Sequence, residues 1–138
     1  MDVKARSMSA FLAENAEQIP NREVVISKRF KDENGDPIKW ELKPIPTAKM
    51  RKIRKESMRL VGNKMDIDFE VLNMNMAVES VVFPNLKDAD LQKAYGVMGE
   101  AALLESLLTL PGEYDELISQ VTDLCGYNAS ELVEEAKN

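Results

Sequence analysis

Two short runs of alternating apolar residues, divided by a turn dipeptide, constrain this chain more than any other feature. Val24, Ile26 and Phe30 share one face at period two, as do Ile38, Trp40 and Leu42. Between the runs lies Lys31-Asp32-Glu33-Asn34-Gly35-Asp36-Pro37, whose Asn-Gly pair tolerates positive φ at both positions. The pattern predicts a β-hairpin over residues 22–46 with an acidic tip. An isolated hairpin is only marginally stable in water. The Trp40 face must therefore pack on helices of the same chain or pair with a neighbour. Asp32, Asn34 and Asp36 alternate as in a calcium loop, but Pro37 stands where that loop needs Gly and Lys43 where it needs a bidentate Glu. No metal site is expected there.

Beyond the hairpin the chain reads as helical. Pro44 and Pro46 break the strand, and Thr47 caps a predicted helix to about Val61, ended by Gly62. Met50, Ile53, Ser57 and Leu60 mark its inner face, while Lys49, Arg51, Lys52, Arg54, Lys55 and Arg59 cover the rest. Asp66 is placed to cap a second helix to about Val82, the most buried of the set, with Ile67, Val71, Leu72, Met74, Ala77, Val78 and Val81 on a wide apolar arc and Phe69 and Met76 beyond it. Three shorter helices are expected next. Asp88 caps the first and Gly96 ends it; Gly99 and Glu100 open the second and Pro111-Gly112 closes it; Glu113 begins the third, with Tyr114, Leu117, Ile118, Val121 and Leu124 on one face. A last short helix is expected from Asn128, with Glu131 at the reciprocal capping position. Asn128-Ala129-Ser130 also matches a glycosylation sequon, for which the cap is the better reading. Ahead of the hairpin, residues 1–21 read as an arm in which Ser7 or Ser9 caps a short helix and Phe11, Leu12 and Ile19 act as anchors. The expected fold is thus α+β: one domain over 1–138, with an arm at 1–21, a hairpin at 22–46, and a helical part at 47–138 of four to six helices on which the hairpin packs.

Composition narrows function mainly by exclusion. The 138-residue chain has no His, which removes the commonest general base and metal ligand together. Its one Cys, Cys125, ends an apolar helical face and reads as a structural thiol that gives no internal disulfide. No signal peptide and no run long enough to span a bilayer is seen, so a soluble cytoplasmic protein is expected. No phosphate-binding Gly loop, nucleophile elbow or Cys/His cluster is present, and neither an enzyme nor a cofactor is expected. Net charge is −6, yet Lys43 to Lys64 holds eight basic residues and one acidic, and Met65 onward three basic and fifteen acidic. Such halves are expected to attract one another within the fold. The alternative function class, a small nucleic-acid-binding regulator, rests on the basic patch of the 47–61 helix (Lys49, Arg51, Lys52, Arg54, Lys55, Arg59) and lacks interleaved aromatics and a recognition motif.

Taken in order, several segments resemble the tail assembly chaperones of PBSX-type phages and prophages. In the first half they are Phe11-Leu12-Ala13-Glu14-Asn15, Ser27-Lys28-Arg29-Phe30, Trp40-Glu41-Leu42-Lys43-Pro44-Ile45 and Ile53-Arg54-Lys55-Glu56. In the second half they are Val82-Phe83-Pro84-Asn85-Leu86, Ala94-Tyr95-Gly96-Val97-Met98-Gly99, Pro111-Gly112-Glu113-Tyr114 and Leu132-Val133-Glu134-Glu135-Ala136-Lys137. The resemblance implies a non-enzymatic role: binding a phage's tape-measure protein, keeping it soluble and helping to recruit tail-tube protein, in the host cytoplasm and not in the mature virion. It supplies no functional residues one by one. From the residues themselves, Leu103, Leu104, Leu107, Leu108, Tyr114 and Leu117 are the candidate contacts for an apolar helical client. Homo-oligomerisation is left open. The resemblance also implies a longer form made by a −1 ribosomal slip, since Ala136-Lys137-Asn138 can be encoded GCA AAA AAC, which contains the slippery heptanucleotide A AAA AAC.

Overall fold

The computed structural model describes residues 7–127. The fold is α+β, with an N-terminal hairpin on a mainly helical body, as the sequence predicts. In chain order the elements are β1 (Arg22–Val24), β2 (Trp40–Leu42), α1 (Thr47–Glu56), β3 (Met58–Val61), β4 (Lys64–Ile67), α2 (Phe69–Ser80), β5 (Val81–Phe83), α3 (Ala89–Ala94), α4 (Glu100–Leu107) and α5 (Pro111–Leu124). The last helix expected from Asn128 and the codon reading of Ala136-Lys137-Asn138 lie outside the described residues.

The hairpin is closed at both ends. At its base β1 and β2 pair antiparallel, with Val24 opposite Trp40 and Arg22 opposite Leu42. At its tip Lys31 bridges Pro37, and Gly35, at φ 83°, donates its N–H to the Asp32 carbonyl at 3.0 Å. Asp32 Oδ1 accepts the N–H groups of Asn34 (2.8 Å) and Asp36 (3.0 Å), so this carboxylate is spent on holding the turn.

β2 is also a central strand. Its other edge pairs antiparallel with β5, with Leu42 opposite Val81, giving the order β1-β2-β5. This corrects the helix expected to reach Val82: α2 ends at Ser80, and β-branched Val81 and Val82 continue as strand beside β2. Ser80, fully buried, fixes the switch, its carbonyl accepting from Lys43 N (2.8 Å) and its hydroxyl donating to the Lys43 carbonyl (2.7 Å). Asp68 rather than Asp66 caps α2, accepting the N–H groups of Glu70 and Val71. Of the wide arc predicted for α2, Leu72 and Ala77 are buried with Met76, whereas Val71 and Phe69 are exposed. The helix is nonetheless central, packing on α1, α4, α5 and β5.

The helix expected over 47–61 is shorter. α1 ends at Glu56, and Met58–Val61 leaves it as a strand that pairs with Lys64–Ile67 across Gly62-Asn63. Gly62 has φ 63°, and among the described residues positive φ is confined to glycines, the pattern of a hairpin turn with Gly at its first central position. Met50, Ile53 and Ser57 are inside as predicted, but Leu60 is exposed and Arg59 lies on β3 rather than on the helix. Pro111 and Gly112 also change role. Leu108 follows the end of α4, and Pro111, whose missing N–H costs nothing at a first helical position, opens α5. The caps of α3 and α4 fall where predicted, at Asp88 and Gly99.

The core gathers Trp40 and Leu42 of β2, Met50 and Ile53 of α1, Leu72, Met76 and Ala77 of α2, Leu103, Leu104 and Leu107 of α4, and Leu117 and Val121 of α5. Trp40 is only 2 % exposed. The arm behaves otherwise: Ser7 caps a 3-10 turn over Met8–Phe11, but Phe11, Leu12 and Ile19 are exposed and anchor nothing among the described residues. Burial should separate two leucines that both sit in apolar-periodic segments. Leu104→Ala is expected to cost about 2–5 kcal/mol in a denaturant titration, and Leu60→Ala within about 0.5 kcal/mol; equal losses would contradict the assigned burial.

Candidate functional site

The six candidate client contacts occupy two environments. Leu103, Leu104 and Leu117 are completely buried, and Leu107 nearly so, between α4, α5 and the rest of the core. Leu108 is buried too, at 5 % exposure, but with Tyr114 it lines an open cleft of about 400 Å³ between α2, α4 and α5, completed by Met74, Asn73 and the carboxylates Glu70, Glu105 and Asp115. Tyr114 is half-buried. Burial pushes its phenol pKa upward, and Glu105, Asp115 and Glu70 push it further, so three negative charges surround one aromatic ring. The cleft thus has an apolar floor and an acidic rim, a form suited to an apolar side chain flanked by basic residues.

The α4–α5 corner that shapes this cleft is held by the hairpin. Arg29, in the loop between β1 and β2, donates from Nη2 to the Leu107 carbonyl (2.6 Å) and to Glu113 Oε1 (3.0 Å), and from Nε to Glu113 Oε2 (3.3 Å). The Ser27 hydroxyl donates to Glu113 Oε2 at 2.6 Å. One guanidinium therefore satisfies a terminal carbonyl of α4 and grips the first turn of α5. Sequence reasoning does not find this link; the partners are remote along the chain, and no local pattern joins Arg29 to Glu113.

Half of the basic patch is paired within the protein itself. Lys49 pairs with Glu79 at 3.5 Å, Lys52 with Glu56 at 4.0 Å and Arg59 with Asp68 at 3.5 Å. Arg54 donates to the Tyr127 hydroxyl and lies over its ring, 5.9 Å from the centroid. Arg51 and Lys55 carry no ion pair among the described residues. The expected attraction between basic middle and acidic C-terminal half is therefore realised at Glu79 and Asp68. Cys125 is half-buried, accepts the Ile45 N–H at 3.4 Å, and has its thiol pKa raised by burial, an arrangement suited to packing rather than to nucleophilic attack. Among the described residues no group of His, Cys, Asp or Glu is placed to hold a metal, and no helix is long and apolar enough to cross a membrane.

Glu113 carries a pH consequence. Its hydrogen bonds from Arg29 and then Ser27 lower its pKa below the ordinary carboxylate value. A depressed folded-state pKa gives stability that is fully present above the unfolded value, about 4.3 for Glu, and is lost as pH falls through the folded value. The stability gap between wild type and Glu113→Gln should therefore be widest above about pH 5 and narrow on acidification toward pH 3; a gap that stays constant over that range in urea titrations would exclude the linkage.

Comparison with known proteins places this geometry in a family. Residues 8–137 match the family model described as phage XkdN-like tail assembly chaperone protein. The chain is 29 % identical over 138 residues to the phage-like element PBSX protein XkdN of Bacillus subtilis (strain 168), covering 95 % of this chain and 93 % of the relative. It is 28 % identical over 142 residues to protein YqbN of the same organism, covering 98 % and 95 %. The crystal structure of YqbN superposes with a TM-score of 0.78 at 26 % identity, over 91 % of this chain and all of that one.

Proposed function

This chain belongs to the XkdN-like family of phage tail assembly chaperones, and from that premise we propose that it is a non-enzymatic chaperone of the tape-measure protein that also helps to recruit tail-tube protein. The family match along almost the whole described chain carries the reading. The cleft adds a physical means: an apolar floor at Leu108 and Tyr114 inside an acidic rim takes an apolar side chain of a helical client with Lys or Arg beside it. Of the six candidate contacts, half-buried Tyr114 meets the client over buried Leu108, while Leu103, Leu104, Leu107 and Leu117 shape the corner that presents them. The chaperone acts in the host cell before the tail is complete, and a longer product of ribosomal slippage shares its N-terminus. The alternative use of α1 on nucleic acid is weakened by the ion pairs of Lys49, Lys52 and Arg59, each of which a phosphate would have to displace.

Co-expression with the tape-measure protein tests the proposal. Tyr114→Ala removes a half-buried ring and is expected to leave the fold intact by circular dichroism while lowering the soluble fraction of the client several-fold. A folded Tyr114→Ala protein that solubilises the client as wild type does would rule out this cleft as the contact. A client equally soluble without the chaperone would remove the chaperone reading itself.

A further inference from the structure

Two of the apolar surfaces left uncovered outside the cleft carry opposite charge. The first is the β3–β4 ribbon. Its register sets Met58 opposite Ile67 and Leu60 opposite Met65, and side chains alternate along a strand, so these four share one face, of which half-buried Ile67 packs against the core and Met58, Leu60 and Met65 are exposed. Every residue of β3 is exposed, with Leu60 at 67 % and Met65 at 59 %. The ribbon springs directly from the end of α1, whose exposed face carries Arg51 and Lys55 without an ion pair among the described residues. The second is the arm. Residues 7–21 are all exposed and include Glu14 and Glu17 but no Lys or Arg. Met8 and Phe11 are 81 % and 80 % exposed. Yet the arm is locally built: Ser7 caps its turn, and Asn15 Nδ2 donates to the Ser9 carbonyl at 2.7 Å. The turn is ordered and presents large apolar side chains to water, and among the described residues nothing of its own chain covers them.

We propose that the arm of one copy docks on the β3–β4 ribbon of a second copy. Phe11 and Leu12 cover the Leu60–Met65 face, and Glu14 and Glu17 meet Arg51 and Lys55 of the neighbouring α1. A second copy is the occupant because each copy supplies both halves of the match, apolar to apolar and acidic to basic. Ribbon-to-ribbon packing would instead bring two basic α1 faces together, and packing residues 7–21 of two copies together would set Glu14 and Glu17 against one another. The contact is between different surfaces, so it builds a reciprocal two-fold pair, a closed ring or an open filament, according to the rotation between copies. It does not involve the Tyr114 cleft, and stands or falls apart from the client reading.

Light scattering and sedimentation of the full chain test it. The wild type is expected to self-associate, and Phe11→Ser/Leu12→Ser to weaken association by roughly tenfold or more, as should Leu60→Ser/Met65→Ser. Each double variant keeps one intact surface, so mixing the two should restore a one-to-one complex. Glu14→Lys/Glu17→Lys should likewise be weak alone and recover when mixed with Arg51→Glu/Lys55→Glu. If Leu60→Ser/Met65→Ser fails to fold, the arm and charge variants carry the decision. A monomeric wild type, association indifferent to Phe11→Ser/Leu12→Ser, or failure of the charge-swapped mixture would overturn the proposal.

Discussion

A strand of three residues, β2, holds the two halves of this protein together. Trp40 and Leu42 point into the core from it, and burying side chains of that size is worth about 1.5–3 kcal/mol each or more. Its backbone is satisfied on both edges, by β1 from the preceding hairpin and by β5 from beyond α2. At its end the paired bonds between Lys43 and Ser80 pass the chain direction on to α2. A two-stranded ribbon would not survive alone; the third strand and the helices beneath make the hairpin part of a folded body.

The second constraint is electrostatic and reaches from the hairpin to the far end of the chain. Arg29 and Ser27 grip Glu113, and Arg22 reaches Asp123 at 2.9 Å and Gln120 Oε1 at 2.9 Å. Exposed pairs of this sort add little individually. The Glu113 knot differs, since its carboxylate is mostly shielded and accepts from two side chains while Arg29 also closes α4. It ties the end of α4 to the first turn of α5, beside the cleft at Tyr114.

The features legible in the sequence were local. The Asn-Gly turn, the caps at Asp88 and Gly99, and the apolar face of α5 each depend on residues within a few positions of one another. β5 was not legible because its partner is remote: Val81 and Val82 extend the helical pattern of α2 until the edge of β2 competes for them. The β3–β4 ribbon was a different failure. Met50, Ile53, Ser57 and Leu60 fit a helical period, but Met58, Leu60, Met65 and Ile67 fit alternation about a two-residue Gly-Asn turn equally well. Gly62 does not break the tie, since its positive φ serves a hairpin turn as readily as a helix end. The arm failed for want of a partner, because periodicity marks an apolar residue without saying what covers it.

The same gap governs the functional reading. α4 and α5 are rich in leucine, and leucine content alone suggests a sticky surface; the fold turns most of that content inward, where it cannot meet a client without parting the helices. Exposed apolar residues lie instead on the arm and on the β3–β4 ribbon, and also at Phe69, Val82, Phe83 and Met98. The ribbon owes its persistence to its root. There the Ser57 hydroxyl donates to the Ile53 carbonyl (2.6 Å) and accepts from Asn75 Nδ2 (3.2 Å), while the Ser57 carbonyl accepts from Asp68 N (2.8 Å). One buried serine thereby joins the end of α1, the start of α2 and the base of the ribbon. Anchoring at the root and exposure toward the tip are compatible because the ribbon's own ladder satisfies the backbone between its strands. The exposed apolar residues it carries, Met58, Leu60 and Met65, are therefore held out in a fixed register.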